Sequence, residues 1–265
     1  MTEPSVVALG GECSLLTLDE VDSTNTWLRN AAANLGDSGR GHGLVVRARR
    51  QNAGRGQRGN SWESEPGLNL TLSIFLRPEG VEPSAQFLIS EAVAIAAVEA
   101  VAPVLDEAGL KAEVKWPNDI YVGNRKLAGI LIEHSLSGHR IDWSIAGIGI
   151  NVNQTVFRSD APNPVSLAML AGRDNIDMEP ILSRFANATV KNLRLNRDEL
   201  HSRYTACLWR RSGFHPYLDN LRGDTFLGAI ADIAPTGHLT LREPDGTTRT
   251  FAFKEGAALL EPVRQ

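Results

Sequence analysis

Three short polar clusters in this chain carry residue types and spacings that could do chemistry. The first is Gly54-Arg55-Gly56-Gln57-Arg58-Gly59, with Gln51 just before it. Two guanidinium groups among glycines let backbone N–H groups and bidentate positive charge approach a phosphate or carboxylate together. The spacing also fits the G-x-G-x-x-G of dinucleotide-binding turns, but that motif needs a helix opening directly after the glycines. Pro66 and Gly67 forbid a long helix there. The segment is therefore expected to be a mobile cationic loop that folds over a small anion, with a solvated surface loop as the competing reading.

The second cluster is Lys115-Trp116-Pro117-Asn118-Asp119 followed by Arg125-Lys126-Leu127-Ala128-Gly129-Ile130. A strand-edge lysine next to an aspartate is ordinarily a surface ion pair of little consequence, and Lys115 taken alone reads that way. Lys126 is more evenly balanced, because two lysines, an Asn and an Asp within one short hairpin favour convergence on a ligand. The third cluster is Gly147-Ile148-Gly149-Ile150-Asn151-Val152-Asn153, ending an apolar strand. Glycines inside a strand mark a bulge or a close backbone approach. The approaching group is either another chain segment or a flat ligand such as a nucleobase, whose edge Asn151 could pair with. Ser23-Thr24-Asn25 is a weaker fourth site, fully explained as a helix cap.

The elements that must hold these clusters follow from hydrophobic periodicity. Ser14 to Glu20 and Leu44 to Arg49 read as strands, and Asp22-Ser23 caps a helix with Trp27, Leu28, Ala31 and Leu35 on its apolar face. Asn69 to Leu76 alternates as a strand with one buried face. Ser84 to Ala102 is a long, buried, Ala-rich helix. Val114 to Trp116 and Ile120 to Val122 read as short strands, and Lys126 to Leu136 with Ile141 to Val152 as a hairpin. Glu179 to Arg210 is helical with a break near Asn196. From about His215 short strands follow: Thr225 to Ile233, His238 to Arg242, Thr248 to Phe253 and Ala258 to Leu260. The pattern predicts an α+β protein, with a catalytic domain over 1–214 and a small C-terminal β-barrel over 215–265.

Composition narrows the function classes. Of 265 residues, 42% are hydrophobic and 22% charged, which is ordinary for a globular protein. A formal net charge of −4 argues against a nucleic-acid surface but not against a local basic pocket. Cys13 and Cys207 match no ligand spacing and read as two reduced thiols, and the scattered histidines make structural zinc an unexpected feature. No signal peptide is read at the N-terminus. The most apolar stretch, Ala92 to Leu105, is expected to be too short to cross a bilayer and is interrupted by Glu99 and Pro103. A soluble, cytoplasmic protein with no membrane or nucleic-acid partner is expected.

Taken in order, Asp22-Ser23-Thr24-Asn25, Gln51 with the Gly54–Gly59 loop, Lys115 to Asp119, Arg125 to Ile130 and Gly147 to Asn151 resemble biotin–protein ligase, over nearly the whole chain. The resemblance implies a mixed β-sheet catalytic domain flanked by helices, of the class II synthetase and biotin–lipoate ligase type, with a C-terminal SH3-like β-barrel. It implies activation of biotin by MgATP to biotinyl-5′-AMP, then transfer to a lysine of a biotin carboxyl carrier domain of an acyl-CoA carboxylase. It places Ser23, Thr24, Asn25 and Gln51 at the biotin head group, with Arg55, Gly56, Gln57, Lys126 and Gly129 also on the biotin side. Gly54, Arg58, Trp62, Asn118 and Asn151 fall to the nucleotide, and Lys126, Arg55, Lys115 and Asp119 to catalysis. Mg²⁺ is expected with ATP, and no protein metal site. Gln57 departs from the family, which commonly has a second arginine there. One charge-assisted contact of about 1.5–3 kcal/mol is thereby removed, so weaker ligand affinity or a loop ordered only by ligand is expected. No room is expected before Ser14 for the N-terminal DNA-binding module of larger relatives. A lipoate–protein ligase and a non-catalytic peptide-binding protein are the alternatives, and oligomeric state is open.

Overall fold

The computed structural model describes residues 5–37, 41–159, 163–253 and 255–259; the side chains of 36, 37 and 58 lie outside it. In chain order the strands are β1 (Val6–Gly10), β2 (Cys13–Val21), β3 (Leu44–Gln51), β4 (Leu70–Leu76), β5 (Glu113–Lys115), β6 (Asp119–Val122), β7 (Arg125–Ser137), β8 (Arg140–Ile150), β9 (His215–Asp219), β10 (Asp224–Ile233), β11 (Leu239–Arg242), β12 (Thr248–Phe251) and β13 (Gly256–Ala258). The helices are α1 (Thr24–Asp37), α2 (Phe87–Asp106), α3 (Leu167–Ala171), α4 (Glu179–Asn192) and α5 (Arg197–Ala206).

The first eight strands form one sheet in the order β1-β2-β3-β4-β8-β7-β6-β5. Only β2 and β3 run parallel; the other neighbours are antiparallel. Together with its helices this is the mixed α+β architecture expected. The Lys126–Val152 hairpin is present as β7 and β8, joined through Gly138 in a left-handed conformation, φ 59°. Strand β4 differs from its expectation: all seven residues are buried, so it has no solvent face. It sits at the middle of the sheet, and its polar alternates Thr71 and Ser73 are accommodated by hydrogen bonds to Ala48 O and to Thr24 and Asn25. An edge strand, β1, precedes the first one expected, and its three consecutive exposed residues carry no alternation to reveal it.

Helix α2 also exceeds its expectation. It runs past Pro103 to Asp106, since the lost bond falls at the carbonyl of the exposed Glu99, where water can satisfy it. With the preceding turn, Pro83–Asp106 is long and apolar enough to cross a membrane, contrary to the sequence expectation. Its apolar surface is instead taken up by the sheet and by α4 and α5. The break between α4 and α5 is as expected, and Asn196 caps α5 by accepting the Glu199 N–H at 2.9 Å.

The opposite face of the sheet positions the site. Under α1, Leu16, Val46, Phe75 and Ile145 form a second apolar cluster with Leu28 and Ala32. Two residues along from Phe75 on β4 comes Ser73, and two along from Ile145 on β8 comes Gly147, then Gly149. Side chains alternate with period two, so these small residues share the face that the large ones occupy under the helix. Where α1 ends, large side chains give way to small ones, and a depression opens.

The C-terminal strands form a five-stranded antiparallel sheet, β12-β11-β10-β9-β13. Among the described residues no pairing joins β12 to β13, so the sheet is open; the expected strand at Ala258 is Gly256–Ala258, and Leu260 lies outside the described residues. Trp116 links this sheet to the larger one. Its Nε1 donates to Gly237 O at 3.0 Å, and its ring meets Phe253 edge-on at 5.6 Å.

Candidate functional site

The depression is a cavity of about 1040 Å³ bounded by the glycine-rich loop, the N-terminus of α1, strands β5 to β8 and the inner side of the C-terminal sheet. Ser23, Thr24, Asn25, Gln51, Arg55, Gly56, Gln57 and Trp62 line it from one side. Lys115, Asn118, Asp119, Lys126, Gly129 and Asn151 line it from the other. Thus the expected site residues converge, with two exceptions. Gly54 lies behind the wall: its carbonyl accepts the Trp62 N–H at 3.0 Å, and a Cβ there would meet Trp62 O at 2.8 Å. The Arg58 side chain falls outside the described residues. The loop itself forms no helix beyond a single 3₁₀ turn over Gln57–Gly59, as Pro66 and Gly67 require.

At the α1 end the polar groups are interlocked. The first N–H of α1, at Thr24, is capped from β3: it donates to Gln51 Oε1 at 2.8 Å. In place of the expected Ser23 side-chain cap, the capping side chain belongs to a residue 27 positions away in sequence, and Ser23 contributes its backbone carbonyl, which accepts the Trp27 N–H at 2.9 Å. Because Gln51 Oε1 is committed to Thr24, the Gln51 amide presents its Nε2 elsewhere. The Thr24 hydroxyl lies 2.6 Å from Ser73 Oγ, and Ser73 donates to Asn25 Oδ1 at 2.5 Å. Asn25 Nδ2 donates to Leu131 O at 3.2 Å and to Glu133 Oε2 at 2.9 Å. Both N–H bonds of Asn25 are therefore used by the protein. Asn25 lines the cavity, where its Oδ1, which accepts from Ser73, is the polar atom it has left to offer.

The strand glycines have a physical explanation in this geometry. A Cβ on Gly147 would stand 2.2 Å from Asn25 Oδ1, and one on Gly149 would stand 2.2 Å from Trp62 Cε2. A Cβ on Gly129 would reach Trp62 at 3.1 Å. Of the two alternatives for the third cluster, the close approach is by another chain segment: the Asn25 and Trp62 side chains lie against bare backbone.

The lysine hairpin makes a different pattern. Lys126 Nζ pairs with Asp119 Oδ1 at 2.7 Å, each side chain about one-fifth exposed, so the aspartate partners Lys126 and not its sequence neighbour Lys115. Lys115 Nζ instead donates to Tyr121 OH at 3.1 Å and lies over the Tyr121 ring, 4.6 Å from its centroid. Burial lowers the Lys115 pKa below the usual lysine range, partly opposed by Asp119. Asn118 is pinned: its Nδ2 donates to Ile130 O at 2.6 Å while its own carbonyl accepts the Ile130 N–H at 2.9 Å. Asn151 Nδ2 donates to Val165 O at 3.1 Å, but its Oδ1 is buried and finds no donor among the described residues. Trp62 Nε1 is likewise buried without a partner. Buried polar groups are nearly always paired, and these two unpaired atoms belong to residues that line the cavity.

Sequence reading missed several contributors. Ser73 and Glu133, which hold lining residues from behind, sit inside apolar strands, where a single polar residue is the signal. From the C-terminal sheet Tyr217, Asn220 and Leu239 reach the same cavity, and no local motif announces them. The described residues contain no group of three His, Cys, Asp or Glu able to hold a metal ion. Cys13, pushed up to about 11 by burial, and Cys207, also raised, are not nucleophiles of this site.

Comparison with known proteins completes the picture. The sequence model of the biotin/lipoate A/B protein ligase family matches residues 18–151. The bifunctional ligase/repressor BirA of Salmonella typhimurium is 39% identical over 245 residues, 90% of this chain and 72% of the relative. The biotin–[acetyl-CoA-carboxylase] ligase of Mycobacterium tuberculosis is 30% identical over 227 residues, 84% of this chain and 80% of the relative. Among solved structures, a biotin protein ligase from Aquifex aeolicus in complex with biotin and ATP superposes with a TM-score of 0.70 at 24% identity, covering 92% of this chain and 97% of that one. At that identity the superposition speaks for the fold alone.

Proposed function

The chain belongs to the biotin/lipoate A/B protein ligase family, and on that premise we propose how its cavity divides the work of a biotin–protein ligase. Such an enzyme activates biotin with ATP to biotinyl-5′-AMP and then transfers the biotinyl group to a lysine of a carrier domain. The observation that carries the reading is the meeting of the Arg55–Trp62 loop and the Lys115–Lys126 hairpin around one cavity. Lipoate activation and simple peptide binding would leave that convergence with the biotin-ligase relatives unexplained.

In the first step a biotin carboxylate oxygen attacks the α-phosphate of ATP, and pyrophosphate leaves. Two unit negative charges about 4 Å apart repel by on the order of 4 kcal/mol at an effective dielectric near 20. Arg55 and Lys126 are assigned to offset that repulsion and align the reacting atoms. Ser23, Thr24, Asn25 and Gln51 are assigned to the ureido head group, with Gln51 Nε2 as donor and Asn25 Oδ1 as acceptor. Gly56, Gln57 and Gly129 frame the chain between head group and carboxylate. Asn151 and Trp62, with their unspent polar atoms, are assigned to the nucleotide, together with Asn118 and the phosphate-facing Lys115. Arg58 and Gly54 belong to the same loop. Mg²⁺ is assigned to ATP as its phosphate-bound counterion.

In the second step the acceptor amine attacks the acyl carbon of the mixed anhydride and AMP departs with the bonding pair. The amine must be neutral, against an ordinary lysine pKa of about 10.4. Asp119, at the cavity wall beside Lys126, is assigned to take its proton. The acceptor is proposed to be the biotin carboxyl carrier domain of an acyl-CoA carboxylase. The 1–214 and 215–265 segments are proposed as two domains, the second an SH3-like barrel in its strand count and antiparallel pairing. The test is pyrophosphate release from ATP with biotin, lipoate or neither. Biotin-dependent release, followed by label on a carrier-domain lysine, supports the reading; release with lipoate alone, or none, overturns it.

A further inference from the structure

Glu133 stands on β7 beyond Gly129 and Leu131, opposite Ile145 of β8. Its carboxylate collects donors from two other parts of the chain. Asn25 Nδ2 donates at 2.9 Å and Arg29 Nη1 at 3.2 Å, both from α1. Arg55 donates from the glycine-rich loop, Nη1 at 3.3 Å and Nη2 at 2.9 Å. Sheet, helix and loop are thus joined through one side chain that retains 24% exposure. Isolated pairs at such exposure contribute little, but a bidentate guanidinium fork constrains direction as well as distance.

A carboxylate only accepts hydrogen bonds, and that fixes more than its own contacts. Asn25 must turn Nδ2 toward Glu133 and Leu131 O, both acceptors only, so its Oδ1 must face Ser73. Ser73 must then spend its proton on Asn25, so the 2.6 Å contact with Thr24 requires the Thr24 hydroxyl to donate to Ser73 and not to Gln51 Oε1, 3.2 Å away. Gln51 Oε1 accepts the Thr24 backbone N–H, a donor only, so Gln51 is oriented by the backbone. The bond directions that Glu133 helps fix run from Asn25 to Thr24 and stop there.

We infer that Glu133 is a positioning residue for the adenylation step: it tethers Arg55 over the cavity and, together with Leu131 O, holds Asn25 in place at the α1 end. The inference rests on the proposed assignment of biotin to this end. Glu133 touches neither substrate; it decides where the Arg55 guanidinium stands.

The test is steady-state adenylation by Glu133→Gln, which keeps size but can donate, and by Glu133→Asp, which keeps acceptor-only charge. Glu133→Gln is expected to raise KM for biotin on the order of tenfold, the usual weight of one charge-assisted contact. KM for ATP and kcat at saturating biotin stay within about twofold, and Glu133→Asp recovers part of the loss. Trypsin cleavage at Arg55–Gly56, followed by mass spectrometry of the native protein, is expected to speed up in Glu133→Gln and less in Glu133→Asp. An unchanged KM for biotin in Glu133→Gln, or an equal fall in kcat for all substrates with unchanged loop cleavage, would overturn the inference. Absence of biotin-dependent pyrophosphate release in the unsubstituted protein would instead overturn the function reading itself.

Discussion

The two ends of the cavity are built on opposite principles. At the α1 end Thr24, Asn25, Gln51 and Ser73 satisfy one another, with Asn25 seated against the bare backbone of Gly147. At the other end the Asn151 side-chain carbonyl oxygen and the Trp62 indole nitrogen are buried with no partner among the described residues, and Lys115 Nζ lies over the Tyr121 and Trp209 rings. Gly147, on β8, and Asn151, just past its end, are four residues apart, roughly 13 Å at the usual rise. The paired end is preorganised, so a ligand binding there finds its donors already aimed and little ordering remains to be done. The unpaired end has hydrogen-bonding capacity to give, and gains most from a ligand that uses it. A two-part substrate set, one small rigid ring system and one nucleotide, matches that division.

The largest effect is expected where the ends meet. Lys126→Ala should slow biotin-dependent pyrophosphate release by at least about 10²-fold, the usual range for a transition-state charge partner, while thermal unfolding stays near that of the unsubstituted protein. Near-normal release would remove Lys126 from the chemistry and leave the ends unconnected.

Next come the paired strand glycines, which separate the ends directly. Gly147→Ala forces its new methyl group into Asn25, so biotin affinity should fall on the order of tenfold or more, with about 1–3 kcal/mol of stability lost to overpacking. Gly149→Ala strikes Trp62 instead and should weaken ATP more than biotin. Calorimetric titration of each variant with each ligand checks the pair; equal losses for both ligands would erase the distinction. Smaller still is Asn151→Ala, expected to raise KM for ATP by roughly tenfold, about one hydrogen bond's worth, and to leave KM for biotin alone.

The smallest effect concerns pH. Burial favours the neutral form of Lys115, so its charge is lost as pH rises through a value below the ordinary 10.4 or so. If Lys115 holds the ATP phosphates, KM for ATP should climb on the alkaline side, about twofold where half the lysine is neutral. Lys115→Arg, which stays charged, should abolish that climb. A pH-independent KM in the unsubstituted protein would take Lys115 out of phosphate binding.

How much of this was legible in the residues depended on distance along the chain. The β7–β8 hairpin, the break before α5 and the non-helical arginine loop were readable because local periodicity and Pro66-Gly67 decide them. The convergence of Lys126, Gln51 and Arg55 followed from motif resemblance. Strand β1 was not readable, since its exposed run shows no alternation, and the five-residue α3 is too short to set up a period. Ser73 and Glu133 were invisible for another reason: their partners lie 48 and 108 residues away at Asn25. Local pattern marks each only as a polar residue in an apolar strand. Likewise local pattern does not mark the pairing of Asp119 with Lys126: Lys115 is the direct cross-strand partner of Asp119, yet its Nζ donates to Tyr121 OH instead.

The division of the cavity is tested most directly by a crystal structure with biotin and a non-hydrolysable ATP analogue bound. The ureido ring should lie at hydrogen-bond distance from Gln51 Nε2 beside Gly147, the adenine edge at hydrogen-bond distance from Asn151 Oδ1, and the carboxylate between Arg55 and Lys126. Biotin seated against Asn151, or a nucleotide base against Gln51, would contradict the account.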